Sequence, residues 1–120
     1  MSDGEMSMQT KLLRIYTDES AYFGDRKVFQ EIAARAKDAG LAGVTILEAL
    51  IGFGQSVHMH QRHVLESDRA VVIEIVEDEA RVRAFAAQLA DITGIGLITV
   101  EAIEVIGGAS SLYPQSSPAA

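Results

Sequence analysis

The stretch AVVIEIVEDEARVRAFAAQLADITG, residues 70–94, decides the fold, because it contains a strand followed directly by a helix. Its first part, Ala70–Val76, is an almost continuous aliphatic run with the length of a buried strand. Asp78 is a residue type preferred at the N-terminal cap of a helix. Apolar residues then recur at helical spacing at Val82, Phe85, Ala86, Leu89 and Ile92. Gly94 is predicted to end this helix.

The same order of strand and helix occurs earlier in the chain. Leu12–Tyr16 is a short apolar run that predicts the first strand. Apolar residues then recur at helical spacing at Val28, Phe29, Ile32, Ala33 and Ala36. Asp25 is predicted to be the N-terminal cap of this helix, and Gly40 the C-terminal cap. Two β-rich runs, residues 44–51 and 97–106, supply further strands.

Together these elements have the order β-α-β-β-α-β, which predicts an α+β protein with the ferredoxin-like fold. Right-handed crossovers in this fold place both helices on one face of a four-stranded antiparallel sheet. We assign residues 11–106 to this domain. Residues 1–10 and 107–120 are predicted to be flexible tails, because both are polar and the second contains both prolines of the chain.

The composition excludes several classes of function. The chain has 120 residues with 10 Lys and Arg against 17 Asp and Glu, so nucleic acid is not an expected partner. The absence of cysteine excludes disulfides, thiol catalysis and thiolate metal sites. Without a long apolar run or a signal-peptide pattern, the protein is expected to be cytoplasmic. The charged residues Glu31, Arg35 and Lys37 of the first helix are predicted to form a solvated face.

The predicted strands carry aliphatic residues on both faces. In Val71–Val76 both alternating sets are aliphatic except for Glu74, which is expected to pair with Arg14 on a neighbouring strand. Two helices can cover only one face, and each aliphatic side chain left in water forgoes about 1.5–3 kcal/mol. We therefore expect an oligomer in which the helix-free faces pack around a common axis. The alternative is a monomer with a partly apolar sheet.

Two glycine-containing segments are candidate ligand-binding loops. Gly52-Phe53-Gly54 ends a strand and opens a polar loop at Gln55, and its glycines let the backbone approach a ligand closely. Thr93–Gly96 precedes the last strand, and successive N–H groups in such a turn can form an anion-binding nest. Each segment is equally consistent with a plain turn. Because both adjoin edge strands of the predicted fold, the two loops are expected to meet across a subunit boundary.

Four short motifs form a specific combination that extends over most of the chain. They are LLRIY at residues 12–16, GLAGVT at 40–45, GFG at 52–54 and VVIEIV at 71–76. Their combination resembles the PII-like family catalogued as domain of unknown function 190. More distantly, the second and third motifs resemble the second strand and the start of the T-loop in PII signal-transduction proteins. Thr93–Gly96 resembles a shortened version of the PII B-loop.

The resemblance implies a homotrimer with nucleotide-type ligands in the clefts between its subunits. An adenine nucleotide would act as an effector rather than as a required cofactor, and the protein would not be an enzyme. The polar loop at residues 55–63 would report occupancy to a partner protein, such as a membrane transporter or channel.

The resemblance also implies roles for particular residues. Thr45 would contact the base or the ribose. The loop root would line the cleft with Gly52, Phe53, Gly54 and Gln55. Gly94 and Gly96 would offer backbone N–H groups to phosphate. The PII B-loop carries an Asp and a Lys that residues 95–98 lack, which disfavours a triphosphate. An adenosine mono- or diphosphate, a cyclic nucleotide or no nucleotide remains open.

The polar segment 55–63 contains all three histidines of the chain, His58, His60 and His63. It is predicted to be a loop or an exposed hairpin. The next strand is predicted to start at residues 64–65. If the segment is extended, His58 and His60 share a face and could bind a divalent metal ion. The second hypothesis is therefore a trimeric metal-binding protein that resembles the divalent-cation-tolerance proteins of the same fold. No catalytic arrangement is legible, so a cofactor-free enzyme is the least supported alternative.

Overall fold

The computed structural model describes residues 9–49 and 69–108 of the 120-residue chain. These residues form six strands and two helices: β1 (Thr10–Asp18), β2 (Tyr22–Phe23), β3 (Arg26–Lys27), α1 (Val28–Asp38), β4 (Thr45–Glu48), β5 (Ala70–Asp78), α2 (Glu79–Gln88) and β6 (Leu97–Ala102). A short 3-10 turn, Leu89–Asp91, follows α2. Neither of these helices has the length and apolar content needed to cross a lipid bilayer.

The main sheet has four antiparallel strands in the order β4-β5-β1-β6. The central strands β1 and β5 pair along their whole length, from Thr10 opposite Asp78 to Asp18 opposite Ala70. This topology confirms the predicted α+β, ferredoxin-like architecture. A separate hairpin of β2 and β3 lies between β1 and α1. The sequence did not predict it, because strands of two residues show no periodicity.

Helices α1 and α2 cover one face of this sheet. Alternate residues of the central strands point towards the helices, among them Leu13, Ile15, Ile73 and Ile75. The helices and the residues after α2 complete the core with Val28, Ile32, Ala36, Val82, Phe85, Leu89 and Ile92. The apolar faces predicted for both helices are therefore confirmed, with Phe29 and Ala86 packed at the margin of the core.

Helix α1 begins later than the sequence predicts. Its first residue is Val28 and its N-terminal cap residue is Lys27. Asp25 lies between β2 and β3, so its assignment as the cap is wrong, because the hairpin comes before the helix. The predicted end is confirmed, since Gly40 follows the helix with a φ of +75°, a conformation that favours glycine.

Helix α2 follows Asp78 directly, as predicted, but it ends at Gln88 and not at Gly94. Beyond the 3-10 turn, Ile92 adopts extended backbone angles and packs into the core. The chain therefore leaves the helical path before it reaches the glycine.

Two of the predicted strands are shorter in the structure. Strand β6 ends at Ala102 rather than at Ile106. Of the predicted strand 44–51, the described part forms only β4, and residues 50–51 lie outside the described residues. The predicted strand start at residues 64–65 lies outside them as well.

The opposite face of the sheet carries no helix in the described part of the chain. Across its four strands, side by side, lies an apolar row that consists of Leu47, Val72, Tyr16 and Leu97. Its two ends are the most open, with Leu47 47% exposed and Leu97 53% exposed. The prediction that aliphatic residues occupy both faces of the strands is confirmed.

The neighbouring row is polar and consists of Thr45, Glu74, Arg14 and Thr99. Arg14 Nε donates to Glu74 Oε2 at 3.0 Å, and Arg14 Nη1 donates to Glu101 Oε1 at 3.1 Å. The predicted ion pair between β1 and β5 is confirmed, and it keeps the charge of Glu74 paired in the middle of the sheet.

The buried carboxylate of Glu77 lies near the C-terminal end of β5, next to the end of α1. Glu77 is 2% exposed, and its Oε2 lies 2.8 Å from Arg81 Nη1. Arg81 Nη2 also donates to the carbonyl oxygens of Ala39, at 3.3 Å, and Gly40, at 2.8 Å. The pair thus joins the start of α2 to the end of α1. Burial raises the pKa of Glu77, and the charge of Arg81 and the N–H of Ala42 only partly offset this.

Replacing Glu77 by glutamine is expected to remove a pH-dependent contribution to stability. Because the pKa is raised in the folded state, this contribution is fully present below the ordinary value of 4.5 and is lost as the pH rises through the folded pKa. The free energy of unfolding of the wild type relative to Glu77→Gln should therefore rise as the pH is lowered from neutral towards 4.5. Urea titrations at a fixed protein concentration, followed by circular dichroism, measure this difference.

Glu79→Gln is a control variant, because the stability that Glu79 contributes should change with pH in the opposite direction. A hydrogen bond of 2.9 Å from Arg83 lowers the pKa of Glu79, so its contribution is present above 4.5 and is lost as the pH falls through the folded pKa. A difference between the wild type and Glu77→Gln that stays constant with pH would contradict the assignment.

Candidate functional site

The glycine loop, Thr93–Gly96, lies at the end of the sheet where β1 stops and β6 starts. Two hydrogen bonds attach it to β1. Thr17 Oγ1 donates to the carbonyl oxygen of Gly94 at 2.7 Å, and the N–H of Gly96 donates to the carbonyl oxygen of Tyr16 at 2.7 Å. Thr17 is buried, so water competes little for the first bond. The loop is therefore held in one shape by the central strand.

Gly94 occupies a position that only glycine fits. Its φ is +96°, a backbone conformation that L side chains rarely adopt. A Cβ atom at this position would lie 3.2 Å from the Cβ of Ala21 and 3.3 Å from Cγ2 of Val28. The loop therefore packs directly against the chain before the β2–β3 hairpin and against the first residue of α1.

A further attachment reaches the start of the loop from α1. Arg35 donates from Nη1 and Nη2 to the two carboxylate oxygens of Asp91, at 2.8 and 2.9 Å. Nη1 also donates to the carbonyl oxygen of Gln88 at 2.9 Å, and Nε donates to Glu31 Oε2 at 2.8 Å. The prediction of a solvated face is wrong for Arg35 and for Glu31, whose side chains are each only 19% exposed. The sequence carried no signal for this contact, because neither Arg35 nor Asp91 lies inside an apolar strand that would require a partner for its charge, as Glu74 does.

Ala49 and Arg69, which flank the segment 50–68, lie at the same end of the sheet. The N–H of Ala49 donates to the carbonyl oxygen of Ala70 at 2.8 Å and extends the pairing of β4 with β5. The N–H of Glu19 donates to the carbonyl oxygen of Arg69 at 2.8 Å and attaches the end of β1 to the start of β5. Both flanks of the segment 50–68 therefore lie at the end of the sheet that carries the glycine loop.

Three of the predicted ligand-binding residues, Thr45, Gly94 and Gly96, are among the described residues. Thr45 is exposed on β4, opposite Glu74, whereas the two glycines precede β6. β4 and β6 are opposite edges of the sheet, so three strand spacings, about 14 Å, separate them. One copy of the chain therefore does not bring Thr45 together with the glycine loop.

The N–H of Gly96 is already donated to Tyr16 and is not available to a phosphate. The resemblance implied that the N–H of Gly96 donates to phosphate, and this part of the prediction is corrected. That Gly94 and Gly96 line the cleft stays a prediction. The remaining predicted residues lie outside the described residues; they are Gly52, Phe53, Gly54 and Gln55.

The histidine hypothesis concerns residues that the structure does not describe, namely His58, His60 and His63. Within residues 9–49 and 69–108, no group of three or more His, Asp or Glu side chains is arranged to hold a metal ion. A metal site at His58 and His60 stays a prediction.

The chemistry available at the glycine loop is that of binding. Residues 93–96 are Thr-Gly-Ile-Gly and carry no ionisable side chain, so they offer backbone hydrogen bonds and one hydroxyl. An open groove of about 690 Å³ lies elsewhere, between the two helices, where Arg35, Asp38 and Asp91 line it with Gln88 and three alanines. None of the predicted ligand residues lies in that groove, and its arginine is already paired with Asp91. The candidate site is therefore the glycine loop.

A four-stranded antiparallel sheet with two helices on one face defines a protein of the ferredoxin-like fold class. Residues 10–105 match the family DUF190, which is described as an uncharacterized ACR. The chain belongs to this family, and the resemblance found in its motifs is confirmed.

Similar proteins agree with this assignment. A UPF0166 protein from Aquifex aeolicus (strain VF5) is 37% identical over 103 residues, which cover 82% of this chain and 95% of that protein. The solved structure of CPII from Thiomonas intermedia K12, bound to ADP, AMP and acetate, aligns with a TM-score of 0.59 and 23% identity over 86% of this chain and 93% of that chain. A protein from Thermus thermophilus, described as PII-like, aligns with a TM-score of 0.58 and 17% identity over 82% of this chain and 91% of that chain. These two structures share the fold of this chain.

Proposed function

We propose that this protein is a non-enzymatic PII-like regulatory protein that binds an adenine nucleotide in the clefts between the subunits of a homotrimer. The observation that carries the proposal is the glycine loop, which β1 holds in a fixed shape at one edge of the sheet. A loop with a preset backbone loses little conformational entropy when a ligand binds. The nucleotides in the CPII structure, which has the same fold, support the choice of ligand.

The helix-free face of the sheet supports the homotrimer. Its apolar row crosses all four strands and ends in Leu47 and Leu97, both about half exposed in a single copy. Burial of these side chains by further copies would contribute about 1.5–3 kcal/mol for each leucine. Such packing also offers a way to bring the β6 edge of one subunit to the β4 edge of the next.

The cleft would then draw its residues from two subunits. One subunit would contribute Thr45 and the segment Gly52–Gln55, and its neighbour would contribute Gly94 and Gly96. The uncharged loop at residues 93–96 favours an adenosine mono- or diphosphate over a triphosphate. A triphosphate would lack a charge-assisted hydrogen bond there, a contact worth about 1.5–3 kcal/mol.

Regulation would pass through the segment that follows the cleft residues. Binding would order the loop at residues 55–63 and change the surface offered to a partner protein, such as a membrane transporter or channel. We expect this to take place in the cytoplasm. Neither the binding of a nucleotide nor the ordering of the loop requires a covalent step.

Titration calorimetry of the full chain with ADP, AMP and ATP is expected to show binding of ADP or AMP at one site per chain, with weaker binding of ATP. Guanosine diphosphate, which differs in the base, serves as the control for recognition of adenine. If no adenine nucleotide produces heat at about 1 mM, where even a binding free energy of about -4 kcal/mol is detectable, the nucleotide proposal is wrong.

A further inference from the structure

The guanidinium group of Arg35 is enclosed by protein groups of opposite charge and by an aromatic ring. Four of its N–H bonds are donated, to Glu31, to Gln88 and to both oxygens of Asp91. The group also lies 5.2 Å from the centroid of the Phe23 ring. These hydrogen bonds, first of all those with Asp91, raise the pKa of Arg35 above its ordinary value. The arginine is therefore a fixed cation with little capacity left for a ligand.

These partners belong to different parts of the helix layer. Phe23 comes from the β2–β3 hairpin, Glu31 from α1, Gln88 from the end of α2 and Asp91 from the 3-10 turn that follows it. The carbonyl group of Gln88 is among the last of its helix, which have no partner within the helix. A cation at this end also complements the helix dipole. Arg35 thus contacts both the last residue of α2 and the turn through which the chain continues.

The chain that continues from this point is the glycine loop. Only Ile92 and Thr93 separate Asp91 from Gly94, whose carbonyl group is attached to Thr17. The loop is therefore attached at both ends, to α1 through Asp91 and to β1 through Gly96. A Cβ atom added at Gly94 would lie only 3.2 Å from Ala21 and 3.3 Å from Val28, so the loop has little room to shift towards α1 if Asp91 is displaced.

We propose that Arg35 is a positioning residue for ligand binding, which sets the backbone of Thr93–Gly96 through its two parallel hydrogen bonds to Asp91. This inference rests on the proposed nucleotide-binding role of the loop. Lysine cannot replace arginine here, because an ammonium group is a point charge and cannot form the planar pair of bonds.

The test compares Arg35→Lys with Arg83→Lys in the full chain. Arg83 is a matched control, because it also forms an ion pair of 2.9 Å with a glutamate on its own helix, Glu79, at a site away from the loop. Arg35→Lys is expected to weaken ADP binding about tenfold, since part of the preset loop shape is lost. It should also accelerate hydrogen exchange of the Gly96 amide, whose bond to Tyr16 closes the loop. Arg83→Lys should change neither quantity.

Asp91→Asn is the second variant, because it removes the carboxylate charge from the same ion pair. Its effect on ADP affinity should resemble that of Arg35→Lys, and the double variant should show no added loss. Unchanged ADP affinity and unchanged Gly96 exchange in Arg35→Lys would overturn the proposal, even if the melting temperature fell. If the wild type binds no adenine nucleotide, the proposed function fails. The exchange rate of the Gly96 amide in the ligand-free proteins then tests the role of Arg35 by itself. A faster rate in Arg35→Lys than in the wild type supports that role, and an equal rate overturns it.

Discussion

Replacing Leu47 and Leu97 together by aspartate is expected to convert the proposed trimer into single copies. The two leucines end the apolar row on opposite edge strands, and both are about half exposed in one copy. Their substitution therefore leaves the core between sheet and helices intact. In the proposed trimer, each lost leucine would remove about 1.5–3 kcal/mol of burial. Each aspartate also places an unpaired charge in an apolar contact, a further cost of several kcal/mol.

Sedimentation velocity at micromolar concentration measures this change. Ile46→Asp is the matched control, because Ile46 is the neighbour of Leu47 in β4, is 40% exposed and lies on the opposite face, beside Ile73. The wild type and this control should sediment as trimers, and the double variant as a single copy with an unchanged circular dichroism spectrum. A wild type that sediments as a single copy would refute the trimer and the shared clefts. A double variant that still forms trimers would show that another surface is the interface.

Replacing Gly94 by alanine is expected to cause the second large effect, a loss of both stability and nucleotide affinity. Alanine at a positive φ costs about 1–2 kcal/mol of backbone strain. The added Cβ would also press on Ala21 and Val28 at 3.2 and 3.3 Å, and overpacking of this kind costs about 1–3 kcal/mol. The loop would have to move away from α1, which would alter the backbone offered to a ligand.

Gly24→Ala separates the two causes. Gly24 also has a positive φ, +65°, but a Cβ there would meet no atom within 4 Å. In urea unfolding, Gly94→Ala should therefore lose about 1–3 kcal/mol more than Gly24→Ala. Equal losses would indicate that the contacts with α1 impose no constraint on the loop.

Local patterns predicted much of the fold. The nearly continuous aliphatic run Ala70–Val76 and the helical spacing from Val82 to Ile92 identify their own elements, because the first has the length of a buried strand and the second the period of a helix with one buried face. The pairing of Arg14 with Glu74 was predictable for a related reason. A charge inside an apolar strand requires a partner, and a neighbouring strand contained one.

Local patterns failed where an element was short or where a contact ended it. Asp25 has the residue type of a helix cap, but the hairpin of β2 and β3 occupies its position. Gly94 has the residue type that ends a helix, but the burial of Ile92 ends α2 earlier. The candidate site was predicted only in part, since Gly94 was identified as a helix end and as part of an anion-binding turn, whereas the structure shows that its close packing against Ala21 and Val28 requires glycine.

By itself, the sequence determined the order of the two helices and the four strands of the main sheet, the two apolar faces of the strands and membership of the DUF190 family. These follow from neighbouring residues, whose spacing reports burial directly. The tertiary structure alone decided that Arg35 reaches Asp91, that Thr17 holds Gly94 and that the N–H of Gly96 is committed to Tyr16. Each of these contacts joins residues 56 to 80 positions apart, and their geometry exists only after the sheet has brought the elements together.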